Sequence, residues 1–304
     1  MQLTILGINS AKPVRDRHPS AQILNIHERL LLIDCGEGTQ MQLLKYRIKA
    51  AKISHIFISH LHGDHYLGLI PLLDSFNLDN RTAPIYLYAP PNLQRVMQLH
   101  LEVSGAHFGF PVHFYPLRYD QPELIAELPS FTVKSIPLAH YRTPCTGFVF
   151  REKTPELHIL PEKIAQYQIP NACIKGIKQG KDFVTSQGIC IPNKELTKPG
   201  RQALAYAYCS DTAYTESILP HLTNIQLLYH EATYLDDCEY LAQQRGHSTA
   251  KQAASIAQKA GVQQLLIGHF SSRYGSLQGF ADEAQSIFPQ TFIAEEGKKY
   301  VIGQ

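Results

Sequence analysis

The hexapeptide His60-Leu61-His62-Gly63-Asp64-His65 constrains this chain more than any other feature. Three imidazoles and a carboxylate fall within six positions, in a chain of 304 residues with 15 histidines. Histidines with ordinary surface or core roles would scatter singly. A mixed nitrogen and oxygen donor set of this density is what borderline-soft divalent metals take, zinc above all. The stretch follows an apolar run, 55–59, that reads as a strand. Residues two apart on an extended segment face the same way, so His60 and His62 can share one ion. Asp64 and His65 open the next element, because 66–74 reads as a helix start. Donors at the carboxyl end of a strand that runs into a helix are where α/β sheets place their chemistry.

The rest of the chain supplies strand–helix alternation around this point. Short β-rich runs at 2–8, 21–26 and 29–35 read as consecutive antiparallel strands, since their links are too short for crossover helices. Helical spacing follows over 38–48, then the 56–59 strand, a helix to about 76, and a strand at 85–89. Pro90-Pro91 opens a helix to about 103. Strands are read at 113–117, 131–138 and 147–150. Between about 152 and 182 the pattern weakens, with three prolines and the spaced cations Lys175, Lys178 and Lys181, so this segment reads as an inserted arm. Alternation resumes with strands at 203–209, 225–229, 264–267 and a last one at 291–294, and helices at 214–221 and 276–287. A further helix begins at Ser248-Thr249, with Gln252 placed for a capping box and Gly261 at its end. Alternation in both halves around a strand-rich middle suggests two sheets with helices outside, an α/β protein built as a four-layer αββα sandwich in one domain, 1–304.

Composition removes several classes. Apolar residues make up 44%, ample for a core, yet no segment approaches the ~18 uninterrupted apolar residues of a membrane span. The first residues lack a basic stretch followed by an apolar one, so no signal peptide is expected and a cytoplasmic location is. The six cysteines lie apart, at 35, 145, 173, 190, 209 and 238, without a C-x-x-C pair; a thiolate zinc site and a disulfide framework are therefore not expected. Any metal is held by His and Asp. The net charge of +2 leaves a nucleic-acid partner dependent on a local basic patch.

Four donors in one turn do not fill two metal spheres. His140, Asp211 and His269 each sit just past a β-rich run, as donors at a sheet edge should. Together with the hexapeptide they complete two four-donor sites if one carboxylate bridges.

Asp34, the His60–His65 stretch, His140, Asp211 and His269 resemble the five ordered motifs of the metallo-β-lactamase fold. Within that superfamily the chain is similar to the ribonuclease Z family, the tRNA 3′-processing endonucleases. Four segments carry the narrower likeness: Asp34-Cys35-Gly36-Glu37-Gly38-Thr39-Gln40, His230-Glu231-Ala232-Thr233, Gly246-His247-Ser248-Thr249, and Gly268-His269-Phe270-Ser271-Ser272-Arg273-Tyr274. The resemblance spans nearly the whole length. Two departures concern the grip on tRNA rather than the chemistry. The family's Pro-x-Lys-x-Arg-Asn-like loop is Pro13-Val14-Arg15-Asp16-Arg17-His18 here, and its Gly-Pro-rich arm tip is replaced by Ile169-Pro170-Asn171-Ala172-Cys173-Ile174-Lys175-Gly176.

The resemblance implies a zinc-dependent endoribonuclease that removes the 3′ trailer from precursor tRNA and leaves a 3′-hydroxyl. It implies two zinc ions per chain, one on His60, His62, His140 and Asp211, the other on Asp64, His65, His269 and the shared Asp211. Asp64 would also accept the proton of the attacking water. His247, just before the Ser248-Thr249 cap, would protonate the leaving group, with Glu231 orienting it. Ser271, Ser272 and Arg273 suit phosphate, and Lys175, Lys178 and Lys181 on a protruding substrate-binding arm would meet phosphates away from the cut. Asp34 is read as structural. The family also suggests a homodimer and no membrane partner. The rival readings are a hydrolase of small phosphodiesters, sulfate esters or thioesters on the same fold, a di-iron redox protein, and a non-enzymatic RNA binder.

Overall fold

The protein is described here by a computed structural model covering residues 1–303. Strands β1 (Gln2–Gly7), β2 (Ala21–Ile26) and β3 (Arg29–Cys35) form an antiparallel meander. Helix α1 (Thr39–Lys45) then leads to β4 (Ile53–Phe57), α2 (Leu69–Leu78) to β5 (Ile85–Ala89), and α3 (Pro91–Ser104) to β6 (Val112–Pro116). These strands pair in parallel, which is why each needs a crossover helix.

A second sheet is built from β7 (Glu123–Glu127), β8 (Phe131–Leu138), β9 (Cys145–Glu152), β10 (Ala205–Cys209), β11 (Leu227–Glu231), β12 (Gln264–Gly268) and β13 (Thr291–Ile293). Strand β14 (Lys299–Val301) returns to the first sheet beside β1. Each sheet has seven strands, ordered β14-β1-β2-β3-β4-β5-β6 and β13-β12-β11-β10-β9-β8-β7.

The two-residue period sets the layers. On β3, Leu31 and Ile33 join the core between the sheets, with Phe57, Phe148, Phe150 and Tyr206, while Leu32 faces the opposite way onto Leu43, Leu69, Leu72 and Leu93 of the helices. Phe57 on β4 crosses the layer, 5.5 Å from the Phe148 ring and edge-on at 5.2 Å to Phe150. Over the second sheet lie α5 (Ala250–Ala260) and α6 (Gln278–Gln285), joined by a short α4 (Glu239–Arg245) nearer the site. Helix α5 buries Ala250, Ala253, Ala254 and Ala257, small residues that let it approach the strands closely. The result is an αββα sandwich.

Helix α5 starts where the sequence places it. Thr249 Oγ1 accepts from the Gln252 amide at 3.2 Å, Gln252 Oε1 accepts from the Thr249 amide at 3.0 Å, and Gly261 ends the helix at φ 63°. Residues 216–221 form a 3₁₀ helix rather than an α-helix, with Pro220 inside it unable to donate a backbone bond. Strand β14 follows the run read as the last strand, and β7 and α4 carry too little apolar periodicity to be read in advance.

Residues 152–203 form a separate compact unit. It carries its own core of Ile169, Ile177, Phe183, Ile191 and Leu196. Helices Pro161–Gln166, Asn171–Lys178 and Asn193–Leu196 pack with two short strand pairs, His158–Ile159 with Thr197–Lys198 and Phe183–Val184 with Cys190–Ile191. The unit runs past 182 because Phe183, Ile191 and Leu196 supply three of those five core residues. No helix among the described residues is long and apolar enough to cross a membrane.

Truncating Phe57 to Ala removes the ring that joins the sheets. The expected loss is about 3–5 kcal/mol of unfolding free energy in urea titrations, against about 0.5 kcal/mol or less for Leu78→Ala, whose side chain is 80% exposed.

Candidate active site

The carboxyl ends of strands from both sheets deliver the polar residues to one place. Asp34 is the penultimate residue of β3, the hexapeptide follows β4, His140 follows β8, Asp211 follows β10, Glu231 ends β11 and His269 follows β12. The donors fall into two groups, His60 with His62, His140 and Asp211, and Asp64 with His65 and His269. Asp211 lies between them. Its Oδ2 is 3.5 Å from His60 Nε2 and 3.8 Å from His140 Nε2, while its Oδ1 is 3.3 Å from His65 Nε2 and 3.2 Å from His269 Nε2. Asp64 Oδ2 completes the second group, 3.5 Å from His65 Nε2 and 3.3 Å from His269 Nε2.

The donor set fits cations. His60 Nε2 and Asp211 Oδ1 are buried without a hydrogen-bond partner. Leaving a buried polar atom unpaired costs about 1–3 kcal/mol, which a bound ion would offset. The opposite ring nitrogens are tied off, which aims each ring. His65 Nδ1 donates to Asp34 Oδ2 at 2.7 Å, and His140 Nδ1 donates to the Gly246 carbonyl at 2.8 Å. His269 Nδ1 meets Thr233 Oγ1 at 2.9 Å, and His60 Nδ1 meets Ser59 Oγ at 3.0 Å. Asp34 is itself locked, accepting from the Ser59 amide (2.7 Å), the Ser59 hydroxyl (2.9 Å) and the Tyr208 hydroxyl (2.6 Å). Burial holds His60 well below the ordinary imidazole value, so it is neutral, the ligating form. Burial works to raise Asp64, but His65 and His269 beside it hold its carboxyl well below the usual range. A backbone donor adds to this, the Ala11 amide at 2.6 Å from Asp64 Oδ2.

A second kind of site adjoins the first. Glu231 is fully buried and uses both oxygens. Oε1 accepts from the Thr212 amide (2.9 Å) and from His247 Nδ1 (2.8 Å); Oε2 accepts from the Thr233 amide (3.0 Å) and hydroxyl (2.7 Å). Burial works to lower the His247 pKa, but the Glu231 carboxylate overrides it and raises the imidazole to about 9. Glu231 therefore favours the cationic form of His247. His247 also lies within donor distance of Asp211 and His269, yet its Nδ1 is engaged by Glu231.

Ser271, Ser272 and Arg273 follow His269 in one loop. Ser272 and Arg273 are exposed, and the Arg273 guanidinium lies 5.3 Å over the Tyr234 ring. Lys175, Lys178 and Lys181 all lie in the 152–203 unit, the first two at the end of one helix. Asp34 apart, sequence reasoning missed the groups that orient the donors. Ser59 and Thr233 could have been sought beside the motifs they flank. The Gly246 carbonyl and the Ala11 amide carry no side-chain signature, and Ala11 adopts φ 64°, an unusual conformation for a non-glycine residue.

The family profile described as Anti-Pycsar protein Apyc1 matches residues 1–154. Ribonuclease Z of Bacteroides thetaiotaomicron is 43% identical over 295 residues, covering 97% of this chain and 93% of that protein. Among solved structures, the short form of human tRNase Z superposes with a TM-score of 0.73 at 26% identity, covering 100% of both chains. A metallo-β-lactamase fold protein from Bacillus subtilis superposes with a TM-score of 0.69 at 20% identity, covering 98% of both chains, which shows the fold.

Asp211→Ala removes the carboxylate that faces both donor groups, so zinc titration should show weaker binding at both. Asp34→Asn leaves every donor in place but loosens the His65 ring, and an affinity loss of about 10- to 100-fold is expected. Full retention of two tight sites in Asp211→Ala would refute the shared carboxylate.

Proposed function

The chain belongs to the ribonuclease Z family, on a metallo-β-lactamase fold, and we propose that it removes 3′ trailers from precursor tRNA by zinc-dependent hydrolysis with two ions per chain. The observation that carries the two-ion reading is Asp211, whose two oxygens face separate donor groups. His60, His62, His140 and Asp211 would hold one ion; Asp64, His65, His269 and Asp211 would hold the other. Bound there, the ions supply activation of water and neutralisation of phosphate charge.

The chain's own residues manage the protons. Asp64, kept ionised by its imidazole neighbours and the Ala11 amide, accepts the proton of the attacking water. Attack on phosphorus breaks its bond to the tRNA O3′. His247 gives its proton to that departing oxygen, leaving a 3′-hydroxyl on the tRNA and a 5′-phosphate on the trailer. Glu231 keeps His247 charged and oriented until then.

Ser271, Ser272 and Arg273 are assigned to phosphate contacts beside the cut. Lys175, Lys178 and Lys181 are assigned to the tRNA backbone, with the 152–203 unit as the substrate-binding arm. Such contacts are sequence-independent and salt-sensitive, so each lysine removed should reduce the salt dependence of binding by about one unit of slope. A homodimer working in the cytoplasm is the setting that family membership suggests, and sedimentation equilibrium tests the assembly.

The decisive assay presents the zinc-loaded protein with a precursor tRNA and with a chromogenic small phosphodiester. Release of the trailer with a 3′-hydroxyl on the tRNA is expected; cleavage of the small ester with the precursor left intact would overturn the reading. His247→Ala should retain its zinc yet cleave precursor about 10²- to 10⁴-fold more slowly. The acid must be protonated to act, so the wild-type rate should fall as pH rises through the His247 pKa. That basic limb is expected above the free imidazole value of about 6.5 and at or below about 9, since bound cations draw it down. The alanine variant should lose this limb.

A further inference from the structure

We propose that a cavity beside His62 receives the first nucleotide of the trailer, its base against Tyr119 and Pro91 and its 3′ phosphate at Arg142. This rests on the tRNA reading above and specifies which surface handles the part of the substrate that is discarded.

The cavity holds about 320 Å³ and is lined by Leu61, Pro91, Asn92, Tyr119, Arg142 and Thr143, among others. Its volume is at the lower end of the range for small-ligand sites, about 300–1,000 Å³. It opens directly beside the metal donors. Leu61 lies between His60 and His62 in the chain, and Thr143 Oγ1 is 3.2 Å from His62 Nε2. The lining offers flat apolar surface from proline and tyrosine, an exposed amide from Asn92 and one guanidinium. It includes no carboxylate. Arg142 lies 5.2 Å over the Tyr141 ring and, among the described residues, pairs with no acidic group. The 14-residue helix α3 begins at the same wall, with Pro90 as its N-cap and no acidic side chain in its first turn. Its positive end and Arg142 favour an anion together, while aromatic and proline faces suit a base. A nucleotide carries both groups.

The proton donor decides which nucleotide. His247 serves the tRNA O3′, so the mature end of the tRNA lies on its flank. The His140 ring stands between the flanks, 4.9 Å from His62 and 5.0 Å from His247. The cavity at His247, about 290 Å³, is lined partly by Glu239, a carboxylate unsuited to a neighbouring phosphate. The cavity at His62 therefore falls to the other side of the scissile bond, the trailer.

Three precursor tRNAs test this, each with a two-nucleotide trailer. One is unmodified, one has an abasic first trailer nucleotide, and one has an uncharged methylphosphonate at the linkage after it. Single-turnover cleavage is measured for the wild type, Tyr119→Ala, Tyr119→Phe and Arg142→Ala, with zinc content and melting temperature confirming intact protein. The wild type should lose about 5- to 100-fold on the abasic trailer and several-fold on the methylphosphonate. Tyr119→Ala should be slow on the unmodified substrate and nearly indifferent to the missing base, and Tyr119→Phe should restore discrimination. Arg142→Ala should be indifferent to the methylphosphonate alone. Equal losses on all three substrates, or a wild type that ignores both modifications, would overturn the assignment. A wild type that cleaves none of the three would instead overturn the tRNA reading itself.

Discussion

A carboxylate buried among imidazoles is the constraint on which the rest depends. Asp211 is almost completely enclosed, and each of its oxygens faces two histidine nitrogens at 3.2–3.8 Å. A buried charge of this kind is costly unless compensated on every side. Compensation here must come from residues far apart in sequence, which requires β4, β8, β10 and β12 to end at one level. The face-to-face sheets provide that level, and Phe57 crossing to Phe148 and Phe150 fixes the spacing beneath it. The floor is polar as well as aromatic. Tyr208 on β10 donates to Asp34 on β3, and Asp34 takes the His65 ring, so one hydrogen-bonded chain runs from one sheet to the other and into the site.

The same chemistry, placed a few ångströms away, shifts an imidazole in the opposite direction. His60 and His247 are both enclosed histidines near carboxylates. His60 shares Asp211 with three other imidazoles and is held neutral by burial, as a ligand must be. His247 has Glu231 at 2.8 Å, and that carboxylate is pinned by three further donors from Thr212 and Thr233. A carboxylate fixed this firmly cannot turn away, so its charge acts on His247 continuously. Thr233 links the two regimes: its hydroxyl donates to Glu231 and faces Nδ1 of His269 at 2.9 Å. Environment rather than residue type pushes these two imidazoles in opposite directions.

What the sequence disclosed follows from this division. Donors that must converge on one centre are few, chemically marked and placed just past strands, so His60–His65 stood out by itself, and His140, Asp211 and His269 could be read jointly with it. The capping box at Thr249 was legible because it is local. Strands β7 and β14 were not, because one is a short hairpin arm and the other is a three-residue edge whose pairing with β1 is set by the far end of the chain. The 152–203 unit outran its reading for a similar reason: its core is closed by Phe183, Ile191 and Leu196, isolated apolar residues in two-residue strands and a four-residue helix. Backbone groups were hidden altogether. The Ala11 amide reaches Asp64 only because Asn9 Nδ2 holds the loop through the Ser10 and Lys12 carbonyls and Ser10 bonds to the Phe270 backbone.

The metal donors alone do not select a substrate, since one fold carries many reactions. Selection enters through the leaving group. A nitrophenolate departs as a stable anion and needs no proton, whereas the O3′ of a ribose departs as a strongly basic alkoxide unless an acid meets it. An acid kept charged at neutral pH is therefore of little use to an activated ester and of great use to an RNA. In the role proposed for it His247 would be such an acid, and a fully buried carboxylate with four accepted hydrogen bonds favours its charged form. On that proposal the link between this site and RNA runs through the Glu231–His247 pair rather than through the hexapeptide that first marks the chain.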